Sequence, residues 1–218
     1  CESLYDHRSR PKKINFELHD KKLESKVERI IIDHPFPQPS DPWKCQKYQR
    51  DFILNHLKHL SANDYIMFSD PDEIPNPKLL KNFNLKKKFG IFMQNHFVYN
   101  FKTIDQYQNP WPGTRITKKK YLKSIDDLKH KILVKNLKKW WRPDKEKSIQ
   151  LIHDGGWHLN NFFSAEEISI KLKTFAHTEF DNKKYTQVEK IEDLIKKKQD
   201  VYGRGWIFEN NIDEDNLP

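Results

Sequence analysis

Two aspartates separated by one proline, Asp70-Pro71-Asp72, are the residues of this chain whose types and spacing point most directly to chemistry. Carboxylates one residue apart can face a single hard cation, and Mg²⁺ and Mn²⁺ take oxygen ligands and often bridge to substrate phosphates. Pro71 fixes its own φ near about −65°, which helps hold the two acids in one geometry. Glu73 follows directly, and Pro75 and Pro77 stop the segment from continuing as a strand. A cation held there would stabilise a departing diphosphate as a Lewis acid. The plainer reading is an acidic turn that only caps or solubilises.

The surrounding elements decide between these readings. Arg29 to Asp33 is a short β-branched run suited to a buried strand. A loop with Pro35, Pro37, Pro39 and Pro42 follows. From Lys44 to Leu60, Tyr48, Phe52, Ile53, Leu57 and Leu60 recur at helical spacing. Asp64 to Ser69 then reads as a second buried strand. Strand, helix, strand in that order predicts a parallel β-α-β unit, and an open α/β sheet binds ligands beyond the carboxyl ends of its strands. The acidic cluster begins where the second strand ends.

Further along, Pro77 to Phe83 predicts a short helix, and Phe89 to Val98 an aromatic strand. Gln150 to His153 predicts another strand, leading into Asp154-Gly155-Gly156-Trp157-His158. Ser164 with Glu167 makes a capping box for a helix to about Phe175, and Thr186 with Glu189 a second for a helix to about Lys198. The end, from Gly203 onward, predicts irregular structure. The chain reads as α/β and as one domain over 1–218.

Charge bounds the partners. The net charge is +9, and the stretch 118–147 holds eleven Lys and one Arg against three Asp and one Glu. Such a stretch attracts nucleic acid, an anionic membrane or an anionic substrate, or it is a solvated Lys-rich surface. Two cysteines, Cys1 and Cys45, are too few for a disulfide framework or a structural zinc site. No apolar run is long enough to span a bilayer, and no signal peptide is visible. The compartment is therefore open.

Three segments carry a resemblance. They are Gln49-Arg50-Asp51, then Ser69-Asp70-Pro71-Asp72-Glu73-Ile74-Pro75, then Gly156-Trp157-His158 followed by an aromatic-rich segment and a helix. With Glu2-Ser3, Pro11-Lys12-Lys13 and the final Leu217-Pro218, the chain resembles glycosyltransferase family 17 nearly end to end, the β-1,4-mannosyl-glycoprotein N-acetylglucosaminyltransferase-like family. The resemblance implies a GT-A-type, Rossmann-like mixed sheet flanked by helices. It implies UDP-GlcNAc as donor, Mn²⁺ (or Mg²⁺) as cofactor, a glycan acceptor and inversion at the anomeric carbon. The family normally starts with a strand and helix ahead of its Glu-Ser element, so a first strand is expected to be missing here.

In that frame Asp70 and Asp72 would bridge the cation to the donor's phosphates, with His177 as a third metal ligand. Glu73 would orient the metal site or the acceptor, or cap the following turn. Arg50 would neutralise diphosphate, or pair with Asp51 or Glu2. The general base that inversion requires would be Asp154 or His158, with Glu179 behind them. Trp157 would stack on a sugar or pack in the core. Basic residues between Arg115 and Arg142, with Trp140 and Trp141, would form a flap over the diphosphate.

Two other classes compete. The charge and the aromatics suit a nucleic-acid-binding protein, although no zinc finger, RNA-recognition motif or basic helix is present. Pro71-Asp72, Glu73 and Lys78 loosely resemble a metal-dependent nuclease pattern with poor spacing. The transferase reading expects no nucleic-acid partner and no membrane span.

Overall fold

The computed structural model describes residues 1–13, 18–211 and 217; Pro218, the last residue of the Leu217-Pro218 match, lies outside them. The described residues form a mixed α/β structure with two sheets of unequal size. The small one pairs β1 (Glu2–Ser3) with β2 (Ile31–Ile32) in parallel. Ile32 of β2 is buried with Phe36 and Cys45, and Tyr48 and Phe52 pack against them. Those two aromatics lie on α1 (Pro42–Phe52), which Asp41 caps by accepting from Trp43 and Lys44 N–H and which Pro42 opens.

The second sheet is built on β5 (Phe89–Val98), buried along nearly its whole length. Its first half pairs with β7 (Trp111–Lys118) on one side and with β8 (Ile149–Ile152) in parallel on the other. Its second half pairs with β6 (Asn100–Ile104) and, in parallel, with β9 (Gly156–Asn160). The sheet continues outward through β3 (Tyr65–Phe68) on β7, β4 (Glu73–Pro75) on β9, and β10 (Glu209–Asn210) on β6.

The expected β-α-β unit is not what forms. β2 belongs to the small sheet, and β3 runs antiparallel to β7 as the last strand of its row. The reason lies in burial: β3 hides only Ile66 fully and leaves Tyr65 exposed, the pattern of a sheet margin and not of a strand covered on both faces. A short apolar run specifies a strand without specifying its neighbour.

Between β8 and β9 the chain closes tightly on its neighbours. Gly155 N–H donates to Met93 O at 2.8 Å, and a β-carbon at Gly155 would stand 2.7 Å from Met93 N. Gly156 has φ +119°, and a β-carbon there would meet Ile74 O at 2.1 Å. These glycines let β9 lie between β5 and β4.

The helices cover the sheet. α2 (Pro77–Leu80) is one short turn. α3 (Ile125–His130) and α4 (Val134–Leu137) emerge from the basic stretch and bury Ile125, Leu128 and, just after α3, Ile132. α5 (Ala165–Thr174) carries the expected capping box between Ser164 and Glu167. α6 (Lys183–Thr186) and α7 (Val188–Lys196) follow. The second expected box does not form: Gln187 caps α7 without a side-chain bond, and the Thr186 hydroxyl donates back to Asn182 O at 3.0 Å to close α6. Ile168, Leu172 and Ile191 from these helices seal against Val98 and Tyr99, each buried side chain contributing roughly 1.5–3 kcal/mol before entropy is counted.

Candidate functional site

The acidic motif is the link between the two halves of the large sheet. β3 ends at Phe68, β4 begins at Glu73, and Asp70-Pro71-Asp72 lies between them. Glu73 organises the loop. Its side chain is 1% exposed. One carboxylate oxygen accepts from Asp70 N–H at 3.2 Å, the other from Trp111 Nε1–H at 3.0 Å and from Lys129 Nζ at 2.5 Å. These bonds tie Glu73 back to the loop before it, not to the turn after it, and they fix where Asp70 stands.

Asp70 and Asp72 are 29% and 30% exposed at their side chains. Asp70 lies 2.9 Å from Lys129 Nζ and 3.5 Å from Arg50 Nη2. Asp72 faces His158 Nε2 at 3.4 Å, and its backbone O accepts from Leu159 N–H at 2.8 Å. Burial works against the charged form of Asp72, but the His158 hydrogen bond and the charges of His158 and Lys171 outweigh it and hold the carboxyl below its usual range.

Helix α1 supplies Arg50, and α3 supplies Lys129. The two are locked together at Asp51, which accepts from Ser124 Oγ at 2.8 Å and from Asp126 N–H at 3.1 Å. Arg50 bridges from Asp126 at 3.1 Å to Asp70. The expected pairing of Arg50 with an acid is thus present, but with partners on other elements instead of Asp51 or Glu2. Arg115 on β7 adds a buried cation. Its guanidinium donates to Ile132 O, Pro112 O and Gly113 O. Burial lowers its pKa to about 10 against the pull of Glu73 and Asp70, so it remains charged at neutral pH.

Behind the acids lies a ring cluster. His158 stacks on His96 with centroids 4.5 Å apart, and Trp111 lies 4.6 Å from His158. His96 is 3.5 Å from Asp105, and burial, with the charge of His158, lowers the His96 pKa to about 3. His96 is therefore neutral near pH 7.

Not every expected residue joins this centre. Trp157, one residue from His158 on β9, projects to the opposite face of the strand and is buried. Asp154 is exposed at φ +50°, beside the far end of β4, where Asn76 Nδ2 donates to its backbone O at 3.1 Å. The three residues of β4 separate it from Asp72, about 10 Å along a strand. His177 is half-exposed, 2.8 Å from Glu179 and edge-on to Trp43 at 4.6 Å. Trp43 is seven positions before Arg50 on α1, about 10 Å along a helix. Among the described residues no three His, Cys, Asp or Glu side chains converge as a metal cage, so His177 is not gathered with Asp70 and Asp72.

Trp111, His96 and Lys129 were not singled out in the sequence. Lys129 sits in a run of lysines whose only distinguishing signal is its helical position two residues after Asp127. Trp111 follows a Pro and nothing in its neighbours marks it.

A family model for glycosyltransferase family 17 matches residues 2–206, nearly the whole chain. The chain belongs to glycosyltransferase family 17. No curated protein matches it, and no solved structure does. Family 17 membership makes the chain a transferase of the glycosyl class, acting between a nucleotide-sugar donor and a glycan acceptor. It favours that class over the nucleic-acid-binding and nuclease readings. Within the described residues no helix is long and apolar enough to cross a membrane.

Proposed function

We propose that this family 17 protein is a GT-A-type, cation-dependent inverting transferase that moves GlcNAc from UDP-GlcNAc to a hydroxyl of a glycan acceptor. The observation that carries the reading is the pair of partly exposed carboxylates one residue apart, Asp70 beside Lys129 and Arg50 and Asp72 against His158. Mg²⁺ and Mn²⁺ are commonly held by one or two carboxylates with substrate phosphates and water completing the shell. Two hard oxygen donors without a third protein ligand fit that chemistry better than a closed cage. Asp70 and Asp72 would hold the ion, which would neutralise charge on the departing diphosphate.

The chain's own residues do the rest. Lys129 and Arg50 keep positive charge beside Asp70, where anionic phosphate would be drawn. Glu73, held by Trp111 and Lys129, keeps the loop in place. His158 has its Nε2 on Asp72 and its Nδ1 sealed from solvent without a partner among the described residues. It acts as a positioning residue for Asp72. The proton of the attacking hydroxyl would go to the carboxylate of Asp154, an exposed residue whose backbone O accepts from Asn76 Nδ2 just past the far end of β4.

Calorimetric titration with Mn²⁺ and UDP-GlcNAc tests the reading. Donor binding that needs the ion and disappears in Asp70→Ala is expected. Undiminished donor binding in that variant, or no UDP-GlcNAc binding at all, overturns it.

A further inference from the structure

The site just described uses neither of the two most exposed tryptophans nor the lysines at the other end of β3. Trp140 and Trp141 are 83% and 60% exposed and meet edge to face, with centroids 6.1 Å apart. They sit in the turn between α4 and β8, among Lys135, Lys138, Lys139 and Arg142. An indole left in water exposes a large apolar surface, and two side by side make the kind of contiguous apolar patch that marks an interaction site.

The second observation is a recess at the start of β5, lined by Lys86, Lys87, Lys88, Lys118 and Lys120 with Leu85, Tyr121 and Ser148, and by no acidic residue. Side-chain contacts join the two features. Lys88 Nζ is 3.7 Å from Glu146, Lys147 Nζ donates to Arg142 O at 3.1 Å, and Arg142 follows Trp141 directly. The turn's own acids do not reverse its sign: Asp144 is held by Arg142 and Lys145, and Glu146 by Lys88.

We infer that this face docks the protein on an anionic phospholipid bilayer, with Trp140 and Trp141 at the headgroup level and the lysine recess on lipid phosphates. Indoles favour the membrane–water boundary, and lysines keep their ammonium groups in the headgroup layer while their stems lie along apolar surface. The combination supplies both terms of peripheral attachment, apolar burial and attraction to anionic lipid. A single-stranded nucleic acid would need a basic groove with rings facing successive bases; these two rings are nearly perpendicular, at 88°. The orientation is compatible with turnover. Lys118 pairs with Tyr65 at the start of β3, and the acidic loop follows the strand's other end, about 13 Å away along the strand.

Sedimentation of the full chain with vesicles tests this, using phosphatidylcholine alone and phosphatidylcholine with 30% phosphatidylglycerol. Binding to the anionic vesicles only is expected, weakening as salt is raised. Lys86→Glu with Lys87→Glu should reduce it by more than tenfold, since each lysine contributes roughly fivefold. Trp140→Ser with Trp141→Ser should reduce it several-fold with an unchanged thermal midpoint, because both side chains are exposed. Absence of vesicle binding, binding by either variant undiminished from the parent, or displacement from vesicles by a single-stranded oligonucleotide at equimolar phosphate would overturn the proposal.

Discussion

Lys129 Nζ lies 2.9 Å from Asp70 Oδ2 and 2.5 Å from Glu73 Oε1, so one ammonium joins the half-exposed acid of the loop to the buried one. Glu73 is almost wholly out of water, and a buried carboxylate without its cation is costly. Lys129→Met should lower the free energy of unfolding by about 2–3 kcal/mol, below the 3–5 kcal/mol typical of a broken buried pair, because Trp111 and the Asp70 N–H still serve Glu73. Urea denaturation measures it. The same variant should bind Mn²⁺ more tightly than the parent, since the ion no longer competes with an ammonium for Asp70.

The roles of Asp154 and His158 separate kinetically. Asp154→Asn should lower kcat by about 10²–10⁴-fold, the range for loss of a general base, while leaving Mn²⁺ and donor affinity unchanged. His158→Asn should act first on Mn²⁺ affinity, by roughly tenfold as for other partners that orient a metal ligand. An Asp154→Asn enzyme within tenfold of the parent would remove Asp154 from the mechanism.

His96 makes stability depend on pH. Its folded pKa of about 3 lies below that of an unfolded histidine, near about 6.5. Between those values the unfolded chain binds a proton that the folded chain does not, so stability falls as pH falls through that window. Asp72, held below its usual range, adds a loss in the same direction at the acid end, where its carboxylate protonates. Replacing His96 by Phe should flatten the decline between about pH 6 and pH 4 in thermal melts; an unchanged slope would contradict the assignment.

Gly156→Ala should be among the most damaging small substitutions. The residue has φ +119°, and the added methyl would collide with Ile74 O on β4. Separating β4 from β9 would displace Glu73 and the acidic loop with it. A loss of about 2–3 kcal/mol or more follows from combined strain and overpacking, with loss of donor binding in the same preparation.

Much of this was legible in the chain. β5 runs over the same residues the aromatic run marks, and α5 starts at the Ser164–Glu167 box, because helix caps and strand patterns are local effects. Where two local signals competed, the nearer bond won: the Thr186 hydroxyl turned back to Asn182 instead of capping α7. Strand partners were not legible. The β-branched run at 29–33 and the acid-bearing strand looked like neighbours, yet they lie in different sheets.

The sequence by itself determined the pair of aspartates held by a proline, the glycine turn before Trp157 and His158, and the family to which they belong. Those are matters of residue type and short spacing. Only the tertiary structure decided which cations face the acids, that His158 and not His177 meets them, and that Asp154 stands a strand's length away. Lys129 reaches Asp70 across 59 residues and Trp111 reaches Glu73 across 38. Contacts at that separation are set by how strands pair and helices dock, and no local pattern encodes them.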